Sequence, residues 1–217
     1  MTLEDRLIFA KNPESRCPVV LLLDTSNSMS GEPIQELSKG LTLFQQRIDR
    51  DEIASLRTDL AILDSQAEIV CDFTTVAQLD LPQLVAKGEN LIDEAIKLAL
   101  DRIEERKQTY TNNDINYYQP WMLLISSAAK SDRIQKVAQR VRTSVSEQKL
   151  SFFAVAVNNA NIDTLKQIAP VDTPPLRLDD LKFSELFKWL SDSIATISHH
   201  QIGEKIQLAD ISGWMKH

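Results

Sequence analysis

The 217 residues carry 31 acids against 24 Lys and Arg, a net charge of −7. Nucleic-acid backbones are gripped by clustered Lys and Arg. Here the cations are dispersed among acids, as in Asp101-Arg102-Ile103-Glu104-Glu105-Arg106-Lys107, which excludes a nucleic-acid partner.

A hydrophobic content of 43% and a charged content of 25% fit one soluble α/β domain of this length. Met1-Thr2-Leu3-Glu4-Asp5-Arg6 has acids where a secretory leader needs positive charge, and no apolar run is long enough to span a membrane. Cys17 and Cys71 are too few for a disulfide framework. A cytoplasmic protein without membrane contact is expected.

Residues 1 to 17 are polar and mixed, with a turn at Asn12-Pro13, and lead into the apolar run Val19-Val20-Leu21-Leu22-Leu23. Such a run suits a strand buried on both faces of a parallel sheet. It ends in Asp24-Thr25-Ser26-Asn27-Ser28, so one acid and several hydroxyls lie at a strand's carboxyl end, where open α/β sheets place ligands. A helix follows from Pro33 to about Arg50, with Ile34, Leu37, Leu41, Phe44 and Ile48 at helical spacing. Leu60 to Asp64 and Ala67 to Phe73 read as two strands joined by a tight turn at Ser65-Gln66, the second an antiparallel edge. Asp64 and Asp72 flank these strands as turn residues.

Asn90 is placed as the N-cap of a helix carrying Leu91, Ala95, Leu98, Ala99 and Ile103 on one face, with Asp93 reaching back. Trp121 to Ile125 is a further buried strand, and a helix capped by Asp132 runs to Gln148. Ser151 to Val157 is the next strand, Ile162 to Ile168 a short helix, Pro174 to Leu178 an edge strand, and Phe183 to Ser198 the last helix. Trp121, Phe152, Phe153, Phe187 and Trp189 sit on these periodic elements as core. The alternation gives an α/β fold, a doubly wound, mostly parallel sheet with one antiparallel edge strand and helices on both faces. The domain covers residues 1–199, and the tail 200–217 packs on it, because Trp214 and Ile206 left in water would form an apolar liability.

The chain resembles a von Willebrand factor A domain, more narrowly the stand-alone bacterial proteins associated with tellurium resistance (TerY-like). The residues carrying the resemblance are Val20 to Met29, Asp93 to Asp101 with Ile103 to Arg106, Tyr118 to Trp121, Phe152 to Val157, Phe183 to Leu190, Ile206 to Leu208 and Gly213-Trp214. The resemblance implies a divalent cation held by an Asp and two Ser of the first loop, a Thr of a second and an Asp of a third. The first three positions are Asp24, Ser26 and Ser28. The second-loop pattern places Asn90 where the family has Thr, and the third loop has Ser127 where the family has Asp.

Hard oxygen ligands of this kind select Mg2+ or Mn2+ over zinc. Here Asp24 supplies the only formal charge unless Glu89 or a partner's acid adds another, so occupancy is expected to be weak or partner-dependent. One reading is a degenerate metal-ion-dependent adhesion site in a protein-binding scaffold, with a partner face at Asp24, Ser26, Ser28, Glu89, Asn90 and Ser127. The alternative is a working site that binds an acidic partner residue through the metal. The family context implies a stress, tellurium-resistance or defence module, with a protein phosphatase and a protein kinase as partners.

No catalytic residue is identified. There is no nucleophile elbow and no phosphate loop, and His199, His200 and His217 fall late in the chain. An aspartyl-phosphate phosphatase would need a second Asp where Ser26 stands. A simple helix-capping role for Asp24, Ser26 and Ser28 is the plainer reading of that loop.

Overall fold

The apolar run forms β1 (Cys17–Leu23), in which all seven residues are buried. It lies between two parallel neighbours, β2 (Thr58–Asp64) and β4 (Trp121–Ser126), with Val19 opposite both Leu60 and Trp121. The computed structural model describes residues 3–127, 133–211 and 213–215. The remaining strands are β3 (Ile69–Thr75), β5 (Ser151–Ala156) and β6 (Leu176–Arg177), and the sheet order is β3-β2-β1-β4-β5-β6. Among the described strands only β3 is antiparallel, joined to β2 through the Asp64–Ala67 turn, where Ala67 adopts φ 59° and Asp64 Oδ1 accepts from the N–H groups of Gln66 and Glu68. This is a doubly wound, mostly parallel sheet with one antiparallel edge.

Side chains alternate across a strand, so β1 feeds two cores. Val19, Leu21 and Leu23 pack with α2 (Glu32–Asp49) and α7 (Phe183–His199), through Leu37, Leu41, Phe44, Phe187 and Leu190. Val20 and Leu22 face α4 (Ile92–Asn112), α5 (Gln135–Ser146) and α6 (Ile162–Ile168). Each fully buried Leu or Phe contributes about 1.5–3 kcal/mol, so the two layers account for most of the favourable energy. Close approach of α2 to α7 depends on Gly40, where a Cβ would stand 2.6 Å from the Phe187 ring.

The N-terminal segment differs from the irregular lead-in expected from its composition: Leu3–Lys11 is helix α1. Phe9 anchors it, edge-on to Tyr110 at 5.9 Å and beneath the guanidinium groups of Arg16 and Arg106 at 5.4 and 5.3 Å. Below them lies Asp59, fully buried. Its Oδ2 accepts from Tyr110 Oη at 2.7 Å and Arg106 Nη2 at 2.6 Å, and its Oδ1 accepts from Thr75 Oγ1 at 3.0 Å. Burial opposes the charge on Arg106, but Tyr110 and Asp59 outweigh it and raise its pKa. Burial, reinforced by Asp59, pushes the Tyr110 phenol well up, so Tyr110 stays a donor.

A second unforeseen helix, α3 (Glu52–Arg57), is capped by Asp51, whose Oδ1 accepts from Ala54 N–H at 3.0 Å. The third strand begins two residues later than its composition suggests, and the proline-flanked edge strand shrinks to Leu176–Arg177, parallel to β5. Prolines at 174 and 175 cannot donate to a ladder, which limits it. The proposed cap Asp132 lies outside the described residues. Trp121, Phe152, Phe187 and Trp189 are buried, and Phe153 is half-buried.

The segment after α7 runs back over the sheet edge. Trp214 is buried with its ring 5.5 Å from Trp189, Trp189 Nε1 donates to Ala209 O at 2.9 Å, and Leu178 bridges Met215.

Three carboxylates contribute to the acid response. Burial disfavours the charge of Asp51, Asp72 and Asp192. Hydrogen bonds from Ala54 N–H and His199, from Arg102, and from Arg47 with Lys188 outweigh that burial, and all three pKa values lie below the usual 3.8. A depressed folded pKa gives stability that is full above the unfolded value and lost as pH falls through the folded one. The urea midpoint is therefore expected to drop between about pH 5 and pH 3, and to drop less in the triple Asp→Asn variant. An equal drop in both proteins would refute the assignment.

Candidate functional site

Parallel pairing continues one residue past β1, where Asp24 N–H donates to Ile125 O at 2.9 Å. That hydrogen bond seats the Asp24 side chain, which is 1% exposed, between the ends of β1 and β4. Its Oδ1 accepts from Ser26 N–H at 2.9 Å and Ser26 Oγ at 2.6 Å. Its Oδ2 accepts from Asn90 Nδ2 at 2.7 Å, Ser127 N–H at 2.7 Å and Ser127 Oγ at 2.6 Å. Ser26 Oγ lies 2.8 Å from Ser28 Oγ, which lies 2.6 Å from Ser127 Oγ. The oxygens thus close a ring that begins and ends on the Asp24 carboxylate.

Asp24, Ser26, Ser28, Asn90 and Ser127 all belong to this ring or touch it. Glu89 stands outside it, exposed. The capping readings fail for two of them. Ser26 precedes a 3-10 turn at Asn27–Met29 but makes no side-chain cap bond. The position before α4 belongs to Leu91, not Asn90, and no side chain caps that helix. The Asn90 amide instead bridges Asp24 and Ser126, with Nδ2 3.1 Å from Ser126 Oγ. Nδ2 must face Asp24, since the amide oxygen there would set lone pairs against a carboxylate at 2.7 Å. Asn90 Oδ1 is left buried without a partner.

The second loop is strapped to the first. Lys87 N–H donates to Thr25 O at 2.7 Å, Asn27 N–H to Gly88 O at 3.0 Å, and Leu91 N–H to Ser65 O at 2.7 Å. Ser65 Oγ accepts from Thr25 N–H at 3.1 Å. Gly88 adopts φ +65°, and a Cβ there would collide with the Gln66 side chain. Beneath Asp24 and Asn90 lies a cavity of about 10 Å³, space for one water molecule. On the far rim Asn158 donates to Ser28 O at 3.4 Å, and Arg177 donates to Asn158 O and Ala160 O, both at 3.1 Å. Ser65, read from the sequence only as a turn residue, and Ser126, Asn158 and Arg177 were not assigned to the site. Of these only Ser126, next to Ser127 after an apolar strand, carried a readable signal.

Chemically the ring offers one carboxylate, three hydroxyls and an amide that presents N–H. Among the described residues no three or more His, Cys, Asp or Glu gather as a metal-holding group. His199 lies elsewhere, paired with Asp51 at 2.9 Å beside the helix that leads into β2.

A doubly wound α/β sheet with a carboxylate–hydroxyl cluster at the end of its central strand defines the class of protein. The von Willebrand factor type A domain family model matches residues 19–188, and the chain belongs to that family. Among curated proteins no sequence matches. Solved structures with the same fold include proximal thread matrix protein 1 from the mussel byssus. It is 13% identical, with a TM-score of 0.55, over 82% of this chain and 47% of that one. The pilus adhesin SpaC from Lactobacillus rhamnosus GG, in an open conformation, is 7% identical with a TM-score of 0.64, over 84% of this chain and 30% of the adhesin. The chain therefore spans less than half of either protein. Among the described residues no helix is long and apolar enough to cross a membrane.

Proposed function

We propose that this domain binds other proteins through the face formed by Asp24, Ser26, Ser28, Glu89, Asn90 and Ser127, with hydrogen bonds in place of a metal. The observation that supports this most is the saturation of Asp24. Five donors meet its two oxygens, so the charge that a cation would neutralise is already shared among them. A single formal charge and an amide that offers N–H rather than oxygen do not fit a dication, whose affinity follows ligand charge. No catalytic role is assigned, because Asp24 is too heavily bonded to act as a nucleophile and Ser26 stands where a second acid would be needed. The resemblance to TerY-like proteins supports a cytoplasmic role in a stress, tellurium-resistance or defence module, beside a protein phosphatase and a protein kinase.

The orphaned Asn90 Oδ1 supports a second reading, since turning the amide would offer a cation that oxygen. Thermal unfolding with millimolar Mg2+ or Mn2+ separates the two. The wild type is expected to show no rise in Tm. The double variant Asn90→Thr with Ser127→Asp, which adds an acid, is expected to gain one, since a ligand of the native state stabilises it. A wild-type rise that vanishes in Asp24→Ala would favour the metal. Placing a photo-cross-linker at Ser28 tests the face itself: a specific protein partner must be captured there, and not at a site on α5.

A further inference from the structure

Beside the Asp24 loop lies a groove of about 420 Å³, large enough for a side chain or short peptide. Its walls are the β2–β3 hairpin and the strap that follows β3, with Ile69, Val70, Leu84 and Val85 as the apolar lining and Asp64, Glu68 and Lys87 at its rim. Ile69 is 41% exposed and Val85 57%, so two large aliphatic side chains flank it in water. Thr25, itself buried, stands in the same wall with a hydroxyl that no hydrogen bond uses.

The charge around this groove is one-sided. Between Leu60 and Ala95 the chain carries seven carboxylates and a single cation, Lys87. Glu68 is paired with Lys87 at 3.0 Å and Asp72 with Arg102 at 2.6 Å. Asp80, Glu89 and Glu94 are exposed, and none has a described cation within salt-bridge distance. This stretch, about a sixth of the chain, therefore holds most of the net charge of −7. The strap that walls the apolar slot is bracketed in sequence by the unpaired Asp80 and Glu89, a setting that suits a ligand with an aliphatic anchor and positive flanks and repels an acidic one.

The geometry points to a partner's basic segment, seated here by one aliphatic side chain while its Lys or Arg residues face the acids. The inference rests on the protein-binding reading and adds to it the partner's chemistry. Thr25 joins the groove to the Asp24 ring, so one partner can span both.

Methyl NMR of the full chain tests this with three synthetic peptides of equal length: alternating lysine–leucine, lysine–serine and glutamate–leucine. The lysine–leucine peptide is expected to shift the Ile69, Val70, Leu84 and Val85 methyls saturably, and to weaken as salt rises. The other two peptides, the Val85→Lys variant and the Asp80→Lys/Glu89→Lys variant should each bind at least about tenfold more weakly. All of these positions changed are exposed, so folding is not at stake. Absence of binding, shifts centred elsewhere, or equal affinity for all three peptides would overturn the inference. Capture at Ser28 alongside failure here would reject the groove alone. Peptide binding here without capture at Ser28 would instead reject the Asp24 face.

Discussion

Replacing Asp59 by Ala is expected to destabilise the protein by about 3–5 kcal/mol, because removing one member of a buried ion cluster strands the others. Arg16 is fully buried 3.6 Å from Asp59, and Arg106 is only 11% exposed. Burial already lowers the Arg16 pKa, with Asp59 as its chief electrostatic support. Without Asp59, Arg106 and the Tyr110 hydroxyl lose their acceptor, and Arg16 loses its counter-charge while keeping its bonds to Asn12 O and Glu14 O. Tyr110→Phe removes a single hydrogen bond to a charged group and is expected to cost about 1.5–3 kcal/mol. Urea unfolding at neutral pH measures both. An Asp59→Ala protein within about 1 kcal/mol of wild type would show that the cluster is dispensable.

Asp24→Ala is expected to cost about 3 kcal/mol, and to do so equally with and without EDTA. The loss follows from the Ser127 N–H, which would lose its acceptor, and from the Asn90 amide, which would keep only its longer bond to Ser126 Oγ at 3.1 Å. A site that needs a cation to offset its acid behaves in the opposite way, since in chelator the loss of the acid relieves an unpaired charge. Urea unfolding in both buffers therefore reports what Asp24 is for. Stabilisation of Asp24→Ala in EDTA would defeat the hydrogen-bonded reading.

What could be read from the chain and what could not divide along a physical line. The β1 run and the periodic helices α2, α4 and α7 were legible, because alternation and 3.6-residue spacing are written in neighbouring residues. The acid and hydroxyls after β1 were legible for the same reason. Asn90 was misread as a cap, because its partner Asp24 lies 66 residues away. A local rule sees only the helix that follows. Ser65 was read only as a turn residue, since its role at the site is to accept from Thr25 across 40 residues. Helix α1 escaped notice because Phe9 alone is buried along it among the described side chains, which leaves no stripe to detect. At six residues, α3 is too short for a period to show.

The return of the chain over β6 has a consequence for self-association. A two-residue edge strand leaves the rim of the sheet short of partners, and an open rim templates pairing with another copy. The Leu178–Met215 bridge and the hydrogen bond from Asp179 N–H to Trp214 O at 2.9 Å occupy that rim from within the same chain. The final segment thus acts as a plug against edge-to-edge aggregation. Cutting the chain after Leu208 would uncover the rim together with the Trp189 ring, and the shortened protein would be found in oligomers and precipitate rather than as a single copy.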